Sequence, residues 1–116
     1  MRILVTNDDG IESVGLRSLT EALCEKHEVH VIAPVAQRSA AGHGISVHSP
    51  LPYKELAPHR CACRIAVDGM PADCVKLAVL YFMRDRLPDL VLSGINEGSN
   101  VGSDVIYSGT VSAALE

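Results

Sequence analysis

The chain has 116 residues, 47% of them hydrophobic and 21% charged, with a formal net charge of -4. That is the composition of one globular domain at most, and Lys and Arg are scattered singly, leaving no basic stripe on which a nucleic-acid backbone could lie. No stretch reaches the roughly 18 apolar residues that span a bilayer, and the apolar run in MRILVTNDDG is too short for a signal peptide, so the expectation is a cytoplasmic protein partnered by neither a nucleic-acid polymer nor a membrane. Small phosphorylated ligands stay allowed, because a bound cation can supply the positive charge that the protein lacks.

Arg2 to Thr6 (RILVT) is short, apolar and β-branched and runs into the turn-forming NDDG, the pattern of a buried parallel strand. From Gly15 to about Lys26, Leu16, Leu19, Leu23 and Cys24 make one apolar stripe, with Arg17, Glu21 and Glu25 off it, which predicts a helix. Glu28 to Ala33 is a second strand, stopped by Pro34, and Val35 to Gly44 (VAQRSAAGHG) is a loop from which Ile45 to His48 leads as a short strand.

Arg64 to Val67 is a further strand, closed by Asp68-Gly69. Pro71 suits the first turn of a helix predicted to run to about Arg86, with Val75, Ala78, Val79 and Phe82 on one face. Leu77, Leu80 and Tyr81 widen its apolar arc, so it is expected to pack along much of its girth. Asp89 to Ser93 is another short buried strand opening into GINEGSNVGSD, and Ser108 to Glu116 begins like a helix.

Four cysteines, Cys24, Cys61, Cys63 and Cys74, show neither CxxC spacing nor a pair suggestive of a zinc ribbon or a disulfide framework. Cys61 and Cys63 are expected to set two small apolar side chains on one face of a strand.

Alternating strands and helices predict a doubly wound α/β fold with a mainly parallel sheet. Ligands bind beyond the carboxyl ends of such strands, so the loops after Thr6, Ala33 and Leu92 should converge on one crevice. The final helix has no strand to return to, and Asp89 to Ser93 is left as a sheet edge. The expectation is that residues 1–116 are one domain truncated at its C-terminus, the N-terminal part of a longer protein.

Asp8 and Asp9 read either as turn residues near a helix start or as a cation site. Two carboxylates roughly 4 to 5 Å apart at a partly shielded strand end repel by about 3 to 4 kcal/mol at an effective dielectric near 20, and a divalent cation turns that cost into attraction. Hard oxygen ligands suit Mg2+, Mn2+ or Ca2+ rather than Zn2+. His43 and His48 lack zinc spacing, and Ser39 in a small-residue loop reads alone as turn chemistry.

Gly94, Gly98 and Gly102 let backbone amides approach a ligand, although neither GxGxxG nor GxxxxGK occurs. Asn96 and Asn100 can donate hydrogen bonds or ligate through their carbonyl oxygens. Ser108-Gly109-Thr110 at a helix start reads as a cap or as a phosphate site.

NDDG, RSAAGH, GMPADCVKLA, SGINEGSN and IYSGTVSAALE, in that order and spacing, resemble the SurE family of 5'/3'-nucleotidases (survival protein E) over essentially the whole chain. The resemblance implies a Rossmann-like three-layer αβα fold, a homodimer or homotetramer, and a phosphomonoesterase that hydrolyses nucleoside 5'- and 3'-monophosphates by metal-activated water. It implies one divalent ion per subunit, Mg2+ or Mn2+, on Asp8, Asp9, Ser39 and Asn96; in metal-assisted hydrolysis there, Asp8 or Asp9 is expected to take the water's proton. Phosphate would face Asn96, Gly98, Asn100, Ser108, Gly109 and Thr110.

Three positions depart from the family's pattern: Val35 where Asp is frequent, Gly44 where Ser is frequent, and Met70 where Thr usually precedes the Pro. Two other readings compete with the nucleotidase. One is a non-catalytic nucleotide- or metal-binding module. The other is an aspartyl-phosphate phosphatase with Asp8 as nucleophile, although such enzymes space their aspartates as DxD.

Overall fold

Ile3 and Val5 leave the first strand on one side and Leu4 on the other, and this alternation sets the layers of the fold. The computed structural model describes residues 1–37, 50–99, 101–102 and 107–116. Its elements are β1 (Arg2–Thr6), α1 (Val14–Cys24), β2 (Glu28–Pro34), β3 (Tyr53–Leu56), β4 (Cys63–Val67), α2 (Pro71–Leu77), a π-helical turn (Ala78–Phe82), β5 (Leu90–Ser93) and α3 (Gly109–Leu115). The predicted strand Ile45 to His48 lies outside the described residues.

The strands form one sheet in the order β3-β4-β2-β1-β5. All neighbours are parallel except β3, which pairs antiparallel with β4. On one face, Ile3, Val5, Val29, Val31 and Ala33 pack with Leu16, Leu19 and Leu23 of α1. On the other, Leu4, Ile32, Ile65 and Val67 pack with Cys74, Val75 and Ala78 of the α2 segment and Ala113 of α3. The result is the expected Rossmann-like three-layer arrangement, with β5 at the edge. Among the described residues no helix is long and apolar enough to cross a membrane.

Local chemistry sets the helix starts. Ser13 caps α1, its Oγ accepting from the Leu16 amide, and Pro71 opens α2 while Asp73 Oδ2 accepts from the Met70 amide at 2.9 Å.

Several expectations need correction. Regular α-helix stops at Leu77 rather than near Arg86: the Met83 amide bonds Ala78 O at 2.7 Å, five residues back, closing a wider turn. That turn buries Met83 completely and gathers Tyr53, Tyr81 and Phe82, with the Tyr53–Phe82 ring centroids 5.0 Å apart. It also turns Leu80 and Tyr81 outward, 72% and 52% exposed, so the apolar arc does not pack along its whole girth. The strand β3 was not foreseen, because YKEL is polar and exposed and owes its strand state to pairing with β4. Cys61 and Cys63 do not share a face: Cys61 precedes β4 and packs on the α1 side, whereas Cys63 packs on the α2 side.

Leu4 is wholly buried, whereas Leu80 is not. Leu4→Ala in the full-length protein is expected to cost about 3 to 5 kcal/mol, and Leu80→Ala less than about 0.5 kcal/mol. Urea unfolding midpoints measure both, and equal losses would contradict the outward turn at Leu80.

Candidate active site

The carboxyl ends of the parallel strands lie together: Thr6 pairs with Ser93 at the ends of β1 and β5, and Pro34 with Val67 at the ends of β2 and β4. The loops leaving them are tied to the sheet. Ile11 N donates to Pro34 O at 2.8 Å, and Gly94 N to Thr6 O at 2.9 Å.

Asn7 organises the first loop. It is fully buried; its Oδ1 accepts from the Gly10 amide, and its Nδ2 donates to Gly10 O at 3.0 Å and to Ser13 Oγ at 2.7 Å. This Asx turn pins NDDG to the cap of α1 and projects the two acids that follow it. The residue was read only as part of the turn, and its signal was an Asn directly ahead of the paired acids.

Asp8 and Asp9 sit in different surroundings. Asp8 is 4% exposed, and its Oδ1 accepts from Thr110 Oγ1 at 2.6 Å. Gly109 permits that approach, because a Cβ there would come within 2.9 Å of Asp8 Cβ. Asp9 is half-buried, and its Oδ2 accepts from the Glu97 amide at 3.0 Å. Burial pushes the Asp9 carboxyl above its ordinary range; the charges of Asp8 and Glu97 add to this and the Glu97 amide opposes it.

Asn96 is the third oxygen donor. Its Nδ2 donates to Gly98 O at 3.0 Å, which turns Oδ1 toward Thr110 Oγ1, 3.2 Å away. The Thr110 hydroxyl thus lies between the Asp8 carboxylate and the Asn96 amide oxygen, the nearer acceptor being Asp8. At the strand ends nearby, the buried hydroxyls of Thr6 and Ser93 have no hydrogen-bond partner among the described residues.

Asp9 and Asn96 line an open cavity of about 640 Å3, whose walls also include Gly10, Ser13, Ala36 and Glu97. Gly15 keeps α1 close to its wall, since a Cβ there would run into the Ile95 carbonyl oxygen. Val35, one of the departures from the family pattern, also lines it and is exposed.

Of the residues singled out from sequence, the structure brings Asp8, Asp9, Asn96, Gly98 and Thr110 into one hydrogen-bonded neighbourhood, with Gly109 against Asp8. Ser108 spends its Oγ on the Val111 amide as the cap of α3. Ser39, Asn100, His43 and His48 lie outside the described residues. Among the described residues no three His, Cys, Asp or Glu side chains cluster to hold a metal; what the described residues offer a cation here is the two carboxylates and the Asn96 amide oxygen. That all-oxygen set fits a hard divalent ion.

The family model described as survival protein SurE matches residues 3–116. The chain belongs to the SurE family. Proteins named 5'-nucleotidase SurE from Solidesulfovibrio magneticus and Carboxydothermus hydrogenoformans are each 55% identical to it, over all of this chain and 45% of their own length. The crystal structure of the SurE protein from Aquifex aeolicus superposes with a TM-score of 0.90 at 43% identity, covering 99% of this chain and 45% of that one. The chain therefore spans about half the length of the SurE relatives that it matches.

Thr110 is expected to matter through its hydroxyl. Thr110→Val leaves a buried carboxylate without its donor, at a cost of about 1.5 to 3 kcal/mol, whereas Thr110→Ser keeps the donor and loses about 1 kcal/mol with the methyl group. Denaturant midpoints of the two variants give the comparison, and equal losses would show that the hydroxyl carries nothing.

Proposed function

We propose that residues 1–116 are the N-terminal part of a SurE nucleotidase domain and carry the acidic half of a metal-dependent phosphomonoesterase site. Its substrates are nucleoside 5'- and 3'-monophosphates, and its products are the nucleoside and phosphate. The observation that supports this best is that Thr110 ties Asp8 to Asn96 while Asp9 holds the amide of the next residue, Glu97, with Asp9 and Asn96 both lining an open cavity. The relatives' shared name, 5'-nucleotidase SurE, supports the same reaction class.

In this reading Asp8, Asp9, Ser39 and Asn96 hold one divalent ion, Mg2+ or Mn2+. When bound, such an ion supplies Lewis-acid polarisation of a phosphoryl oxygen and makes a coordinated water more acidic. Thr110 fixes the Asp8 carboxylate in one orientation. Asp9 faces the cavity, which places it to take a proton from the attacking water. Gly98, Asn100, Ser108, Gly109 and Thr110 would face the phosphate, with backbone amides of the glycine-rich loop stabilising its equatorial oxygens.

Asp8, buried and with one oxygen engaged, is poorly placed to attack phosphorus, so the reading favours water as nucleophile over an aspartyl-phosphate. A homodimer or homotetramer of the full-length protein, working in the cytoplasm, completes it.

The test is release of phosphate by the full-length protein from nucleoside 5'- and 3'-monophosphates and p-nitrophenyl phosphate, with Mg2+ or Mn2+ and with chelator. Chelation is expected to abolish turnover, and Asp8→Asn or Asp9→Asn to lower kcat by about 10²- to 10⁴-fold. Metal-independent turnover, full activity in Asp8→Asn, or a phosphate-mimic adduct on Asp8 would each sink the mechanism.

A further inference from the structure

Two thiols meet at the other end of the fold from the acids. Cys24 closes α1 and Cys61 lies in the turn ahead of β4, so both sit toward the amino ends of the parallel strands. Their Sγ atoms are 3.2 Å apart across 37 positions of sequence. All four cysteines are free, and this proximity has no counterpart in their spacing along the sequence. Both thiols are half-buried on the α1-side core, and both open on a cavity of about 770 Å3 whose walls include Arg17, Thr20, Arg60 and Arg64.

The geometry points to Cys24 and Cys61 as a redox pair that closes to an intramolecular disulfide on reaction with a small disulfide oxidant such as oxidised glutathione. A disulfide holds its sulfurs about 2.05 Å apart, so the two need to close by about 1.2 Å. Both stand where the backbone can give: one at the last residue of a helix, the other in a turn held by Cys61 N on Pro58 O. The other two cysteines are elsewhere. Cys63 Sγ lies 3.3 Å from His30 Nδ1 on the opposite face of the sheet, and Cys74 is wholly buried in the α2-side core.

Burial, together with the contact to Cys24, pushes the Cys61 thiol up to about 12, so it keeps its proton at neutral pH. Either thiol, once deprotonated, makes the first attack: its thiolate displaces one glutathione thiolate and forms a mixed disulfide. The other, on losing its proton, attacks the protein sulfur of that mixed disulfide and expels the second glutathione thiolate, which takes up the proton. Two protein thiols are oxidised by two electrons, and one glutathione disulfide is reduced to two glutathione thiols.

The test holds native full-length protein in buffers of increasing oxidised-to-reduced glutathione ratio, blocks remaining thiols with iodoacetamide, and maps the peptides by mass. Cys24 and Cys61 are expected to lose alkylation together and to appear in one linked peptide that dithiothreitol dissolves. Cys61→Ser is expected to stop at a glutathione adduct on Cys24. Full alkylation of both residues at the most oxidising ratio overturns the proposal, as does a linked peptide joining either one to a different cysteine or to a second chain.

Discussion

Two neighbouring carboxylates at a strand end repel, and much of the surrounding architecture answers that repulsion. Asn7 fixes the backbone before the acids, the Thr110 hydroxyl takes one oxygen of Asp8, and the Glu97 amide takes one oxygen of Asp9. Two loops and the start of α3 are thereby drawn together. Gly109 and Gly15 then act by omission, leaving room for α3 against Asp8 and for α1 against Ile95. The charge that remains unneutralised is the property that a hard cation would use.

The sheet makes this convergence possible because its central strands are parallel. Parallel strands bring their carboxyl ends to the same side, and each crossover returns the chain through a helix. The chemistry of the acids and that of the thiols consequently occupy opposite ends of the strands. Between them lies the hydrophobic core of the two sheet faces. The amino end has its own polar contacts, with Arg2 Nε and His30 Nε2 both on Glu28 Oε1, at 3.0 and 2.8 Å. Those contacts, reinforced by Arg86, hold the Glu28 carboxyl below its ordinary range, the His30 hydrogen bond contributing most.

What could be read from sequence was what depends on neighbours in sequence. The RILVT strand, the Leu16-Leu19-Leu23 stripe and the Pro71 helix start each carry their signal within a few residues, and the structure has all three. The end of the second helix did not, because an apolar 3.6-residue pattern continues through Val79 and Phe82 whether the turn is α or π. The exposed YKEL strand has no signature apart from its partner in β4. Long-range pairings were the least legible: no spacing rule links Thr110 to Asp8 or Cys61 to Cys24, and both contacts are products of the fold. The strand-end loops were legible as a group, since the carboxyl-end rule needs only the order of elements.

The contact between Asp8 and Thr110 joins residues 102 positions apart. On a ribosome adding about 5 to 20 residues per second, roughly 5 to 20 s pass between synthesis of the acid and synthesis of its donor. Throughout that interval the NDDG loop carries both charges without the hydroxyl that steadies one of them. The last helix described is therefore the final part of this contact to be made: before it docks, Asp8 lacks the Thr110 hydroxyl.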